Sequence, residues 1–424
     1  MNSEGRIEFT QEMRKDYTIL VPNMAEIHFE LIARVMIQHG YKTELLRTTG
    51  REIVDNGLNY VHNDTCYPAL LVIGQFLHAL KSGKYDVHKT ALLITQTGGG
   101  CRASNYIHLL RKALKKAGFG FVPVISLNLS GLEKNSGFTF TPTMAMKFLS
   151  CLIYGDLIML LKNQVKPYEI HAGETDAMVE KWMAKLIEMF DKNHGFGYFA
   201  MKKTMPLITK DFSEIPVTNE EKIKVGVVGE IYVKYSPLAN NHLEDFLMEQ
   251  GCEPNVPGLM GFILFKADNR LEDIKLYGGK KVKKIAMKTV MAYLTHIESC
   301  ISEAAKAYGH FVAPTSYAHL RELIQPVMGY GCKMGEGWLL TAEMMELIES
   351  GYSNIVCAQP FGCLPNHIVG KGMVRKLRTL YPDSNIVPID YDPGATQVNQ
   401  ENRIKLMLAV AREIANADEA KQSV

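Results

Sequence analysis

Short apolar runs alternate with longer amphipathic segments along the first half of the chain. Runs such as YTILVP and TALLIT are typical of buried strands, and the segments between them place apolar residues at helical spacing. This pattern predicts strands at 17–22, 43–48, 91–95 and 121–127, and helices at 25–39, 68–81 and 104–117. Alternation of this kind indicates a parallel sheet with helices on both faces.

The same alternation restarts after a helical region at about 142–194 and a polar segment at 210–221. Strands are predicted at 224–230, 353–358 and 385–390, and helices at 238–250, 285–309, 366–380 and 403–417. The predicted fold class is therefore α/β, with two Rossmann/flavodoxin-like parallel-sheet halves that each contain a helical insertion. The predicted division is an N-terminal domain at 1–208, a linker at 209–222 and a C-terminal domain at 223–424.

Composition narrows the class of protein. The 424 residues are 47% hydrophobic and 22% charged, which is ordinary for a globular protein. A net charge of +2 gives no basic excess that would indicate nucleic acid as the main partner.

The most apolar helical stretch, 148–161, is short for a bilayer and contains Asp156, which favours a buried core helix over a membrane span. The first residues lack the apolar segment of a secretory signal, so we expect a cytoplasmic protein. In that reducing compartment the 8 cysteines favour metal or redox roles over disulfides.

Three cysteines share one local pattern. Cys66 in NDTCYP, Cys101 in TGGGCRASN and Cys363 in PFGCLPNH each lie on a turn just before a predicted helix. Helix N-termini stabilise thiolates, and such turns gather at one edge of an open sheet. Three thiolates at that edge would form a soft-metal site with one open position. Their spacing is too long for a zinc knuckle and differs from ferredoxin runs. The alternative is three separate buried cysteines on turns.

Other residues near these turns complete the predicted site. Cys332 and Cys357 are reserve ligands. The TGGGC loop lacks the lysine of a phosphate-binding loop, so its glycines are expected to let a cluster come close. The residues expected to line the cofactor are Gly98, Gly99, Gly100, Asn63 and Pro365. The residues expected to move protons are Glu230, Glu336 and His367. The alternatives are an exposed Glu230 beside a capping Ser236, a tight turn at Glu336, and a surface or capping role for His367.

Six long motifs, together, resemble one known family. They are NDTCYPALLVIGQ, TGGGCRASNY, VGEIYVKYSP, GEGWLLTAEM, QPFGCLPNHIVGKGM and DYDPGATQVNQENRI. They look like the 2-hydroxyacyl-CoA dehydratase superfamily, and more narrowly its activase-related branch, which also forms the C-terminal part of BadF/BcrA-type activator fusion proteins. The resemblance covers about 17–417. It implies that Cys66, Cys101 and Cys363 hold an iron–sulfur cluster, either [4Fe–4S] or the double-cubane type of related proteins.

The resemblance also implies a reaction and a partner. A separate BadF/BcrA-type ATPase with its own iron–sulfur cluster would inject a low-potential electron, and this chain would dehydrate or reduce a small substrate such as an acyl-CoA. It would also form a homo- or hetero-oligomer with a homologous subunit. The chain departs from characterised dehydratase subunits in its NDTCYP module and in showing no clear CoA-binding signature. Two alternatives remain: a non-catalytic iron–sulfur relay or scaffold that pairs with a catalytic homologue, and a metal-free α/β binding protein.

Overall fold

Two four-stranded parallel sheets organise the chain, as the alternating pattern predicts. The computed structural model describes residues 6–96, 100–127, 133, 135–308 and 310–422. The strands of the first sheet are β1 (Thr18–Pro22), β2 (Lys42–Leu46), β3 (Thr90–Thr95) and β4 (Val124–Leu127). Those of the second are β5 (Ile223–Gly229), β6 (Cys252–Asn255), β7 (Asn354–Pro360) and β8 (Asn385–Tyr391).

Helices flank each sheet. Those of the first half are α1 (Met13–Asp16), α2 (Glu26–Gln38), α3 (Arg51–Tyr60), α4 (Tyr67–Lys81), α5 (Tyr106–Lys116), α6 (Pro142–Val165), α7 (Glu174–Asp191) and α8 (Tyr198–Ser213). Those of the second half are α9 (Ile231–Tyr235), α10 (Pro237–Asn240), α11 (Leu243–Glu249), α12 (Leu259–Tyr277), α13 (Lys281–Lys306), α14 (Tyr317–Ile324), α15 (Trp338–Glu349), α16 (Leu364–Val369), α17 (Val374–Leu380) and α18 (Gln397–Gln422).

The two sheets have the same strand order. It is β2-β1-β3-β4 in the first sheet and β6-β5-β7-β8 in the second. β1 pairs in parallel with both β2 and β3, and β5 pairs in the same way with β6 and β7. In such sheets ligands bind beyond the carboxyl ends of the strands, beside the point where the strand order reverses. Each half therefore presents one binding edge, next to β1 and β3 or next to β5 and β7.

Helix α6 is long and apolar and packs in the interior. By length and composition it could cross a membrane, but 72% of its most apolar window is buried. It contacts α2, α7 and α8 of the first half and also α12, α13 and β6 of the second. The predicted buried core helix around Asp156 is confirmed, and this helix joins the two halves.

A buried carboxylate fixes α6 to its neighbours. Oδ1 of Asp156 lies 2.8 Å from Nε2 of His28 and also accepts a 2.8 Å hydrogen bond from the N–H of Leu259. Oδ2 accepts a third, from the N–H of Met260 at 2.8 Å. These N–H groups belong to the first turn of α12, which has no other capping side chain. A Cβ at Gly258 would lie 2.6 Å from Cγ of Asp156, so only glycine allows this approach.

Several elements differ from the sequence prediction. The predicted helix at 238–250 is broken, because Asn241 and His242 adopt positive φ angles of 56° and 57° between α10 and α11. The predicted helix at 366–380 is interrupted at Gly370. Helix α8 continues to Ser213, so the first part of the predicted linker is helical.

The buried end of α13 gives the protein a pH-dependent stability. Glu298 accepts a 2.9 Å hydrogen bond from the N–H of Tyr317, and burial raises its pKa from 4.5 to about 7. The folded protein therefore binds this proton more tightly than the unfolded chain. Each pKa unit is equivalent to about 1.4 kcal/mol, so we expect the free energy of unfolding to fall by about 3 kcal/mol as the pH rises from about 4.5 to about 7.

The matched variant is Glu298→Gln, which keeps an acceptor for the Tyr317 N–H and cannot ionise. Urea unfolding at several pH values is expected to show this fall in the wild type and not in the variant. Parallel pH profiles for the two proteins would contradict the prediction.

Candidate functional site

The three predicted ligands lie at turns around the binding edges of the two sheets. Cys101 follows β3, and Cys363 follows β7, which holds the same place in the second sheet. Cys66 immediately precedes α4, the helix that leads into β3. Cys66 and Cys363 are 5% and 6% exposed, whereas Cys101 is half-buried. The site is thus built from both halves of the chain.

Backbone contacts bring the Cys66 and Cys363 turns together. The N–H of Tyr67 donates a 3.1 Å hydrogen bond to the carbonyl of Phe361, which links the start of α4 to the loop after β7. Gly362 has a φ of 74°, and a Cβ there would lie 3.3 Å from Cα of Cys66. Glycine is needed both for that conformation and for the close approach. The Cys66 thiol is close enough to that of Cys363 to raise its pKa.

Two further side chains donate hydrogen bonds to these sulfurs. The hydroxyl of Tyr106 lies 3.3 Å from Sγ of Cys66, and Nδ2 of Asn366 lies 3.4 Å from Sγ of Cys363. Asn366 is fully buried, and its Oδ1 has no hydrogen-bond partner among the described residues. The sulfurs of the site are therefore oriented by donors from both halves.

The turn at 332–337 carries Glu336 between these elements. The N–H of Trp338 closes the turn by a 2.7 Å bond to the carbonyl of Cys332. Gly337 has a φ of 51°, and a Cβ there would lie 2.4 Å from that same carbonyl. Gly335 packs against Pro365, since an added Cβ would come within 3.0 Å of it. These glycines let the turn fit closely beside the Cys363 loop.

Glu336 connects three parts of the site. Its Oε1 accepts from the N–H of Ile231 at 3.1 Å, and its Oε2 accepts from Nδ2 of Asn366 at 2.7 Å. Asn366 in turn donates to Cys363, so Glu336 is linked to that sulfur through one side chain. Lys266 of α12 donates a 2.5 Å hydrogen bond to the carbonyl of Gly335, and burial lowers the pKa of its ammonium group.

Glu230 lies at the carboxyl end of β5 and caps the short helix α9. Its carboxylate accepts hydrogen bonds from the N–H groups of Tyr232 at 3.0 Å and Val233 at 2.9 Å. Burial raises its pKa well above 4.5, and the negative charges of Glu336 and Cys363 add to this effect. Glu230 is thus a half-buried helix cap and not the exposed side chain of the alternative sequence interpretation, and its pKa responds to the charges of the site.

The pKa values of the thiols differ from the sequence expectation. We expected helix N-termini to stabilise thiolates, but burial raises the pKa of Cys101, and the charges of Glu336, Cys363 and Glu230 raise it further. The pKa of Cys363 is raised by its hydrogen bond with Cys66, then by burial and Glu336. At Cys101, desolvation and neighbouring negative charge therefore outweigh the backbone hydrogen bond from Ala103, which favours the thiolate. A bound cation would reverse this balance, because it favours the thiolate.

The remaining predicted residues lie in varied positions. Cys357 is inside β7, and burial raises its pKa to about 12, while Cys332 is half-buried on the 332–337 turn. His367 and Asn63 are exposed, and Pro365 is half-buried against Gly335. A Cβ at Gly100 would lie 2.9 Å from Sδ of Met334. Gly98 and Gly99 lie outside the described residues.

Sequence reasoning missed Tyr106, Asn366 and Lys266. The sequence contained a local signal for Asn366. An Asn three residues after Cys363, in the first turn of a helix, can direct its side chain back to the sulfur of that cysteine. Tyr106 gave no such signal, because its partner Cys66 is 40 residues away. Lys266 lies on α12, a helix that the pattern did not predict.

The described residues include no compact set of ligands for one metal ion, because no three His, Cys, Asp or Glu side chains among them are grouped closely enough. In a cluster each cysteine binds a different iron, so the sulfurs stand farther apart than the ligands of one ion. Two of the three candidate sulfurs accept side-chain hydrogen bonds, from Tyr106 and Asn366. Comparison of the chain with protein-family models and with curated proteins finds no match.

Proposed function

We propose that this chain is an iron–sulfur protein of the 2-hydroxyacyl-CoA dehydratase type. The observation that supports the proposal is the approach of cysteine-bearing turns from both halves, with Tyr106 and Asn366 donating to two of the sulfurs. Cys66, Cys101 and Cys363 would hold the cluster, and the resemblance of the motifs to that superfamily gives its class.

The proposed reaction is dehydration or reduction of a small substrate, an acyl-CoA. When held by Cys66, Cys101 and Cys363, the cluster would supply low-potential electron transfer and Lewis-acid chemistry, and the electron would come from an ATP-dependent activator. Among the chain's own groups, Glu230 is the best candidate to hold a proton near neutral pH, because burial raises its pKa. Glu336 and Asn366 would orient Cys363, and Lys266 would hold the 332–337 turn in place.

A non-catalytic electron relay is the second candidate, and one observation favours it. Cys66 and Cys363 are almost fully buried, which suits a cluster wrapped by protein. Turnover of acyl-CoA substrates with the activator would favour the enzyme, whereas reversible reduction without turnover would favour the relay.

The test of the iron–sulfur proposal is metal analysis after anaerobic purification and reconstitution. We expect about four or about eight iron atoms per chain with matching sulfide, and an EPR signal after reduction. Cys66→Ala, Cys101→Ala and Cys363→Ala are each expected to lower the iron content and to abolish or change the signal. Cys151→Ala, at a fully buried cysteine in α6, is the control that should keep both. Absence of iron from the wild type, or iron unaffected by all three changes, would refute the proposal.

A further inference from the structure

Helices α12 and α13 form a hairpin whose tip exposes apolar side chains. The two helices contact each other and are joined by a short turn, and every residue from 275 to 286, here called the hairpin tip, is exposed. Within it Leu276, Tyr277, Val282 and Ile285 are 51%, 79%, 78% and 65% exposed. Four large apolar side chains in one short exposed segment mark an interaction surface.

The charges around these side chains are all positive. Residues 274–297 contain no Asp or Glu, and their six lysines are Lys275, Lys280, Lys281, Lys283, Lys284 and Lys288. Lys275 lies 3.5 Å from Glu272, and the other five form no ion pair with the described residues. The positive charge of the segment is therefore not neutralised within the fold, and the partner that complements it is anionic.

The apolar and basic side chains occupy different faces of α13. Helical periodicity places its exposed large apolar side chains within about 140° of the circumference, and these are Val282, Ile285, Val290 and Tyr293. Lys283 borders this face on one side, and Lys281 and Lys288 border it on the other. Lysine stems beside an apolar face can lie along it while their ammonium groups reach lipid headgroups. Basic amphipathic helices of this kind bind in the plane of a membrane surface.

The opposite face of α13 packs against the protein. Met287 and Met291 are half-buried there, Leu294 is buried, and the helix contacts α6, α8 and α12. A partner must therefore approach from one side, which a protein groove that encloses a helix cannot do. A lipid surface is flat and fluid, so it accepts protruding apolar side chains without a matching shape. These observations favour an anionic membrane over an acidic protein.

We propose that the hairpin tip and the first turns of α13 bind the surface of an anionic lipid membrane. The apolar side chains would enter the headgroup region, and the lysines would contact lipid phosphates. The attachment would be peripheral, because α6, which is apolar and long enough to cross a bilayer, is mostly buried in the fold. The proposal rests on this surface alone and is independent of the iron–sulfur site.

Co-sedimentation of the full chain with lipid vesicles tests the charge requirement. We expect binding to vesicles of mixed phosphatidylglycerol and phosphatidylcholine, little binding to phosphatidylcholine alone, and weaker binding as the salt concentration rises. Lys283→Gln combined with Lys284→Gln should weaken binding at least tenfold. Lys112→Gln combined with Lys115→Gln is the matched control, because these lysines are exposed on α5 and the change in net charge is the same.

A second set of variants tests insertion of the apolar side chains. Ile285→Glu should weaken binding at least tenfold, whereas Leu406→Glu, at a 68% exposed position of α18, should leave it unchanged. Tyr277→Trp reports insertion directly, because the two native tryptophans, Trp182 and Trp338, are buried. Its fluorescence should shift to shorter wavelength when the anionic vesicles are added.

Several results would overturn the proposal. They are absence of binding to the anionic vesicles, equal binding to phosphatidylcholine alone, and binding that neither the double lysine variant nor Ile285→Glu weakens. Binding of poly-glutamate without binding of vesicles would overturn it in favour of an acidic protein. Self-association that Ile285→Glu abolishes, without vesicle binding, would overturn it in favour of a second copy of this chain.

Discussion

Replacing Asp156 by alanine is expected to lower the free energy of unfolding by about 3–5 kcal/mol. The change removes the acceptor of two backbone N–H groups in the first turn of α12 and the partner of the buried His28. All three donors would be left without a partner in the interior, where water cannot replace the carboxylate. Since α6 and α12 belong to different halves, the variant also loses a connection between them.

Urea unfolding followed by circular dichroism measures this effect. Asp156→Asn keeps one acceptor oxygen and should lose less than the alanine variant. The control is Asp55→Ala, because Asp55 forms only an exposed ion pair with Arg51 and its loss should cost less than about 1 kcal/mol. If Asp156→Ala proved as mild as this control, the carboxylate would not hold the two halves together.

Much of the fold could be predicted from the sequence because its parallel strands are buried. Runs such as TALLIT at β3 are apolar on both faces. This pattern is typical of a parallel strand that helices cover on both sides of the sheet. Strand β6 was missed because CEPN contains Glu253 and Pro254 and has no apolar run. That strand depends on its tertiary setting, in which Glu253 is buried and accepts a 2.6 Å hydrogen bond from the hydroxyl of Tyr168.

Only those parts of the site that depend on neighbouring residues could be predicted from the sequence. The turns that carry Cys66, Cys101 and Cys363 could be read from neighbouring glycines, prolines and helix starts. The contacts between these turns could not be predicted. For example, the hydrogen bond from the N–H of Tyr67 to the carbonyl of Phe361 joins residues almost 300 positions apart in the chain. Likewise, Glu336 was selected by its glycine-rich turn, but nothing local indicated Ile231 as its partner.

The repeated strand order explains why the site has two related sides. Cys101 and Cys363 follow equivalent strands, and Cys66 begins α4, the helix before β3. The equivalent helix before β7 is α15, and the residues at its start are Glu336 and Gly337. The second half thus has a carboxylate one residue before its helix cap, whereas the first half has a thiol at the cap itself.

We therefore expect Glu336→Ala to weaken iron binding by about 10–100-fold without preventing folding. The change removes the acceptor for Nδ2 of Asn366, which would no longer be held in its position beside Cys363. It also frees the N–H of Ile231 at the start of α9. Glu336→Gln keeps the size of the side chain and one acceptor oxygen, so it should bind iron better than the alanine variant.

Iron titration of the reconstituted protein, with the EPR signal as a second readout, measures the loss. Glu322→Ala is the control, because the Glu322 side chain is 79% exposed on α14 and should not affect iron. Circular dichroism must show that the Glu336 variants are folded. Iron affinity equal to that of the wild type in Glu336→Ala would mean that Cys363 is positioned by its backbone alone, since the Asn366 bridge would then contribute nothing to the ligand.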